Sequence, residues 1–136
     1  MDIETLGNQI IGAAIEVHRE LGPGLLESSY ERCLFHELNL KTIHVERQKS
    51  QPIHYKGLNM DEGYRIDLLV EGKIVLELKA VDILNNVHKA QLITYLKLSQ
   101  CTLGYLINFN VPVLKDGIQR IVNNHPDKTY PQSQPK

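Results

Sequence analysis

Residues 64 to 80, Tyr64-Arg65-Ile66-Asp67-Leu68-Leu69-Val70-Glu71-Gly72-Lys73-Ile74-Val75-Leu76-Glu77-Leu78-Lys79-Ala80, read as two strands joined by a tight turn at Glu71 and Gly72. Both halves alternate with the period of two that a strand imposes. In the first, Ile66, Leu68 and Val70 point one way and Arg65, Asp67 and Leu69 the other; in the second, Ile74, Leu76 and Leu78 oppose Val75, Glu77 and Lys79. Burying the two aliphatic faces together requires an odd number of turn residues, most simply Val70, Glu71 and Gly72, with Gly72 in the left-handed region. A two-residue turn would split the core.

The same parity gathers Asp67, Glu77 and Lys79 on the second face, within one or two cross-strand positions of one another. Two carboxylates in a half-buried sheet repel, so they call for a cation, either Lys79 or a hard metal ion that takes oxygen ligands. A structural salt bridge would meet the same need, and alternating charge on a strand commonly marks a solvated face.

The whole chain has 136 residues, 42% of them apolar, which suits one domain with one core. No apolar run reaches membrane-spanning length and the first residues carry no signal-peptide pattern, so the expectation is a soluble, cytoplasmic protein with no membrane partner. Cys33 and Cys101 lack a C-x-x-C or a ligand cluster and read as reduced core or half-core thiols; zinc is not expected. The net charge of -1 gives no global basic field, so any nucleic acid must be held by a local patch.

Ile3, Leu6, Ile10, Ala13, Ala14, Val17 and Leu21 recur at helical spacing, predicting an amphipathic helix over residues 3 to 20. Leu21-Gly22-Pro23-Gly24 ends it, and a second helix follows from about Leu25 to Leu38, packed on the first as a hairpin. Glu27 falls in its first turn, on a side shared with Tyr30 and Glu31, where an acid is also favoured simply by the helix dipole. Ile43 to Lys49 and Pro52 to Tyr55 read as edge strands of the sheet, with Arg47, Lys49 and Lys56 facing phosphates or solvent, and Gly57 to Gly63 as a polar loop.

After the central hairpin, Val87 to Leu98 reads as a helix capped by Asn85 or Asn86, with His88, Gln91 and Tyr95 on one face. That face also suits plain packing against the sheet. Thr102 to Phe109 is an apolar strand and Gly117 to Val122 a short final one. From Asn123 the polar, proline-rich sequence reads as a loose tail, so the domain is placed at residues 1–122 and the tail at 123–136.

Gly24-Leu25-Leu26-Glu27-Ser28-Ser29-Tyr30, with Asp67, Glu77-Leu78-Lys79 and Gln91-Leu92-Ile93-Thr94-Tyr95, resembles the GxxExxY family of the PD-(D/E)XK nuclease superfamily, over roughly residues 5 to 122. The resemblance implies an α/β fold, a three-layer restriction-endonuclease-like core whose central mixed sheet of about four strands is flanked by helices. It also implies roles. Asp67 and Glu77 correspond to the metal-binding acids, Lys79 to the lysine beside them, and Glu27 to an acid from an N-terminal helix. Gln91 and Tyr95 match the Gln-x-x-x-Tyr of the recombination-nuclease branch. His18 falls where some related nucleases place a metal-binding histidine, although a lone helix histidine is more often structural. Tyr64-Arg65-Ile66 before Asp67 lacks the proline of the superfamily's name.

The activity this resemblance implies is that of a nuclease dependent on Mg²⁺, with Mn²⁺ able to substitute, that hydrolyses phosphodiester bonds of DNA. The candidate catalytic set is Glu27, Asp67, Glu77, Lys79, Gln91 and Tyr95, and the candidate metal ligands are Asp67, Glu77, Glu27 and His18. The alternative from another class is a catalytically silent binding or scaffold module that keeps the nuclease fold.

Overall fold

The structure is a computed structural model that describes residues 1–126. In chain order the elements are α1 (Ile3–Leu21), α2 (Glu27–Leu40), β1 (Val45–Ser50), β2 (Ile53–Tyr55), β3 (Leu58–Met60), β4 (Arg65–Val70), β5 (Ile74–Lys79), α3 (Asn86–Ser99), β6 (Leu103–Asn108), a 3-10 turn at Leu114–Gly117, and β7 (Ile118–Val122). The main sheet runs β1-β4-β5-β6-β7, and within it only β5 and β6 are parallel. That parallel pair needs a crossover, and α3 provides it. The layers are therefore α1 and α2 on one face, the mixed sheet, and α3 on the other, the expected three-layer arrangement. The sheet has five strands rather than about four, because β7 pairs along β6, whose six residues are all buried, and covers its edge.

The two faces of the sheet explain the two apolar clusters. Leu68, Val70, Ile74, Leu76 and Leu78 pack with Leu6, Ile10, Ala13 and Val17 of α1 and Tyr30, Leu34 and Leu38 of α2. Leu69, Val75 and Leu106 pack with Leu92, Tyr95 and Leu96 of α3. Each fully buried aliphatic side chain contributes about 1.5–3 kcal/mol. Leu21, grouped with the apolar stripe of α1 by its spacing, is 39% exposed, since it lies at the helix end beside the glycine turn. No helix among the described residues is long and apolar enough to cross a membrane.

The hairpin parity holds. Val70 lies opposite Ile74, leaving Glu71, Gly72 and Lys73 as three turn residues. The turn is shifted by one position from the simplest expectation because Val70, fully buried and also paired with Val45, stays in the strand. Glu71 and Gly72 both adopt positive φ, 53° and 65°.

Three further expectations change. Ile66 belongs with Leu69 and Val75 on the α3 face, not with Leu68, so the alternation of β4 breaks at Asp67. The break coincides with the end of the β4–β5 ladder at Leu68 and with Gln48, on the neighbouring strand, at φ 53°. Residues 53–55 do not join the main sheet; β2 pairs with β3 in a separate hairpin. Lys56 and Gly57 at φ 46° and 87° make its two-residue turn, which matches the twist of the flanking strands and turns part of the polar 57–63 segment into a strand.

The first residues of the segment read as a tail make contacts with the domain. Asn123 N–H donates to the Thr102 carbonyl at 2.9 Å, and the His125 ring bridges Thr102 Oγ1 at 2.7 Å and Glu4 Oε2 at 2.6 Å. Residues 123–126 are thus tied to the domain, and the rest of the proposed tail lies outside the described residues. Both cysteines are free, but Cys33 is exposed on α2 rather than in the core, while Cys101 is buried.

Candidate active site

The ladder between β4 and β5 closes from Val70–Ile74 to Leu68–Leu76 and then opens. Beyond that point two carboxylates replace backbone partners. The Asp67 amide donates to Glu77 Oε2 at 3.0 Å, and the Leu78 amide donates to Asp67 Oδ2 at 2.8 Å. Each acid is therefore held by the other strand, with one oxygen engaged and the second, Asp67 Oδ1 or Glu77 Oε1, free of backbone amides. The expected convergence of Asp67 and Glu77 is present, produced by a splayed strand pair rather than by a continuous one.

Electrostatics bind the rest of the set to these two groups. Burial, against the help of the Leu78 amide, pushes Asp67 up to about 6, with the charges of Glu31 and Glu27 adding to the rise. Burial again, then the charge of Asp67, pushes Glu77 up to about 8; Lys79 opposes the rise of both acids. Glu77 is only 4% exposed. A buried pair of acids with raised proton affinity is short of positive charge, which is the condition that favours a cation.

Glu27 reaches the site through the loop before it. Leu26 caps α2 with no side-chain bond, so Glu27 is the first helical residue, as its position in the chain suggests. Tyr30, one turn on, fixes that loop: its hydroxyl donates to the Gly22 carbonyl at 2.5 Å and accepts from the Leu25 amide at 3.1 Å. The ring of Tyr30 stacks on Phe109 at 4.4 Å, and the Phe109 amide donates to the Lys79 carbonyl at 2.9 Å. The tyrosine of the Glu-x-x-Tyr spacing thereby couples the helix that carries Glu27 to the strand end that carries Lys79.

From the opposite face, α3 brings Tyr95 and Gln91. Asn85 caps α3, accepting from the Val87 and His88 amides at 3.0 and 3.1 Å, while His88 Nδ1 accepts from the Asn85 amide at 3.2 Å. Burial and the charges of Glu77 and Asp67 push the Tyr95 hydroxyl up, so it lies within the field of both acids. Gln91 Nε2 donates to Tyr95 Oη at 3.5 Å and the rest of its side chain is exposed.

His18 is not brought to the acids by any hydrogen bond. Its Nε2 lies 2.8 Å from the Val111 carbonyl, so that nitrogen carries the proton, and its ring is tilted against Phe109 at 6.4 Å. These contacts give it a packing role between α1 and the chain after β6.

Three site residues were not singled out by sequence reasoning. Glu31, 7% exposed, accepts from Arg47 Nη1 at 3.1 Å and from Gln48 Nε2 at 2.6 Å. Gln48 Nε2 also lies 3.4 Å from Asp67 Oδ1. Asn108, 2% exposed, clamps the chain leaving Lys79: its Nδ2 donates to the Val81 carbonyl at 2.8 Å and its Oδ1 accepts from the Val81 amide at 3.1 Å. For Glu31 the helical spacing from Glu27 was the available signal; for Gln48 and Asn108 there was none short of the tertiary contacts.

A hard divalent cation fits this donor set. Asp67 and Glu77 each present a carboxylate oxygen without a backbone amide, and both are destabilised as anions by burial and by each other. The described residues hold no group of three or more acid, histidine or cysteine side chains placed to cage an ion. Mg²⁺ requires no such cage, because it keeps several waters and is commonly held by one or two carboxylates.

No curated protein and no solved structure matches this chain. The sequence pattern described as the PD-(D/E)XK nuclease superfamily does match it, over residues 4–121, which spans every element carrying the acids, the lysine and the Gln91–Tyr95 pair: the chain belongs to the PD-(D/E)XK nuclease superfamily.

Proposed function

We propose that this protein is a Mg²⁺-dependent nuclease of the GxxExxY group that hydrolyses phosphodiester bonds of DNA, with Mn²⁺ able to substitute. One observation carries the reading: Asp67 and Glu77 are buried together, each oriented by the other strand's backbone, and each pushed up in pKa first by burial and then by neighbouring acids. A structural ion pair would have given each acid a basic partner at hydrogen-bond distance. Their hydrogen-bond donors are backbone amides and the Gln48 side-chain amide.

Asp67 and Glu77, with Glu27 near them, would hold the divalent ion, which when bound supplies Lewis-acid polarisation of the phosphoryl oxygen and acidifies water. Lys79 acts on the reacting groups: its ammonium orients the attacking water and stabilises negative charge that develops on the phosphate oxygens. Attack in line expels the sugar oxygen. Tyr95, kept protonated by burial and the neighbouring acids, donates from the α3 side, and Gln91 holds the Tyr95 hydroxyl or a phosphate.

The scaffold reading keeps one supporting observation, since basic groups near the site are already engaged: Arg47 pairs with Glu31 and Lys49 with Glu46. The deciding experiment incubates purified protein with single-stranded DNA, duplex DNA and RNA in Mg²⁺, in Mn²⁺ and in chelator, at low salt so that a weak basic patch still retains substrate. DNA cleavage that needs the metal and disappears in Glu77→Ala supports the nuclease; RNA cleavage alone would move the substrate assignment. A protein that binds DNA and cuts none of the three substrates is the scaffold.

A further inference from the structure

We propose that Gln48 and Glu31 form a positioning clamp that pre-orients Asp67 for its ligand, an inference that rests on the reading of the protein as a nuclease. Neither residue touches the reacting atoms in this role. The clamp acts through Asp67.

The backbone is the first argument. Gln48 lies within β1 at φ 53°, a conformation that costs a non-glycine residue free energy, and the register passes directly from Arg47–Leu68 to Lys49–Ile66 across it. Strain of that kind persists where the surrounding structure requires the side chain in one place. Glycine would adopt the same backbone freely, so what the strained position retains is the amide.

The second argument is the chemistry of its partners. Gln48 faces Glu31 Oε1 at 2.6 Å and Asp67 Oδ1 at 3.4 Å, two carboxylate oxygens that accept only, so the NH₂ end must be the one turned inward. Its two protons serve one acid each. Glu31 is a firm anchor because it is buried and its other oxygen is taken by Arg47 at 3.1 Å. Asp67 is then gripped at both oxygens, Oδ2 by the Leu78 amide at 2.8 Å and Oδ1 by Gln48. That fixes the plane of the carboxylate. The longer contact at Oδ1 steers the oxygen while leaving it able to exchange a weak donor for a cation, as outer partners of ligand groups do elsewhere.

The test uses the full chain and a readout that needs no cleavage. Gln48→Gly relieves the backbone but also removes the donor to buried Glu31, two effects that oppose each other, so its melting temperature should stay close to that of wild type. In metal-free protein the Leu78 amide should exchange hydrogen faster than in wild type, because its acceptor is no longer held. Mn²⁺ affinity by calorimetry should fall by about 10- to 100-fold, the usual effect of losing an outer partner of a ligand. Glu31→Gln keeps an acceptor for Gln48 and should retain most of the affinity, whereas Glu31→Ala should not. A lower melting temperature in Gln48→Gly with unchanged Leu78 exchange and Mn²⁺ affinity within twofold of wild type would overturn the clamp and leave a structural role. Should wild type bind no Mn²⁺, the nuclease reading fails, and the Leu78 exchange rates still decide the clamp.

Discussion

Asp67 and Glu77 lie just past Leu68 and Leu76, the last paired residues of β4 and β5, and meet through each other's strand: the Asp67 amide donates to Glu77 Oε2 at 3.0 Å, and the Leu78 amide beside Glu77 donates to Asp67 Oδ2 at 2.8 Å. The two strands are closed on one side of this point by ordinary ladder bonds and held open at it by two acids.

The raised carboxyls give a signed pH dependence. Asp67 and Glu77 have ordinary values of 3.8 and 4.5 and folded values of about 6 and about 8, so the folded state binds protons more tightly than the unfolded chain. The stability they contribute is full below their ordinary values and is lost progressively as pH rises from there through their folded values. Metal-free wild type should therefore lose stability between pH 4 and pH 8 relative to Glu77→Gln, by on the order of 1 kcal/mol or more at pH 8. Melting curves of both proteins across this range check it, and parallel profiles would count against the shift.

Metal should reverse that cost. Asp67→Asn keeps an acceptor for the Leu78 amide while removing one charge from a repelling pair, so the metal-free variant should be as stable as wild type or more so. Mg²⁺ or Mn²⁺ should raise the melting temperature of wild type by mass action on the folded state and that of the variant much less. Equal shifts in the two proteins would mean that the ion binds elsewhere.

Lys79 separates holding from cutting. It lies half-buried at the end of β5, and its charge is felt by both acids without being one of their hydrogen-bond donors. Lys79→Ala should leave the fold and metal-induced stabilisation nearly intact while cleavage falls by about two orders of magnitude or more. Rates measured beside circular dichroism and thermal shift check this. Unchanged cleavage would mark the activity as a contaminant or assign it to another site.

Asn108 is the support of the strand end that carries Lys79. Asn108→Ala removes the paired bonds to Val81 and leaves an amide and a carbonyl in a half-buried loop without those partners. The expected cost is about 2 kcal/mol, the scale for orphaned polar groups. Chemical denaturation measures it, and a loss below about 0.5 kcal/mol would show that water replaces the asparagine fully.

Much of this was legible in the linear order of residues, because a repeat of two or 3.6 states which side chains share a face without reference to any partner. The helix at Ile3–Leu21, the Asn85 cap of α3 and the odd-numbered turn between β4 and β5 follow from such local patterns. Glu27 and Tyr30 were legible as a spacing, although their shared purpose appears only where Tyr30 meets Gly22 and Phe109. What tertiary structure alone decided is where regularity stops. Ile66 leaves its expected face next to Asp67, where carboxylates replace the ladder bond; Gln48 takes positive φ where two acids flank its amide; and His125 folds back onto Thr102 and Glu4. Each of these depends on a polar partner 10 or more residues away, and hydrogen bonds of that separation leave no period in the chain.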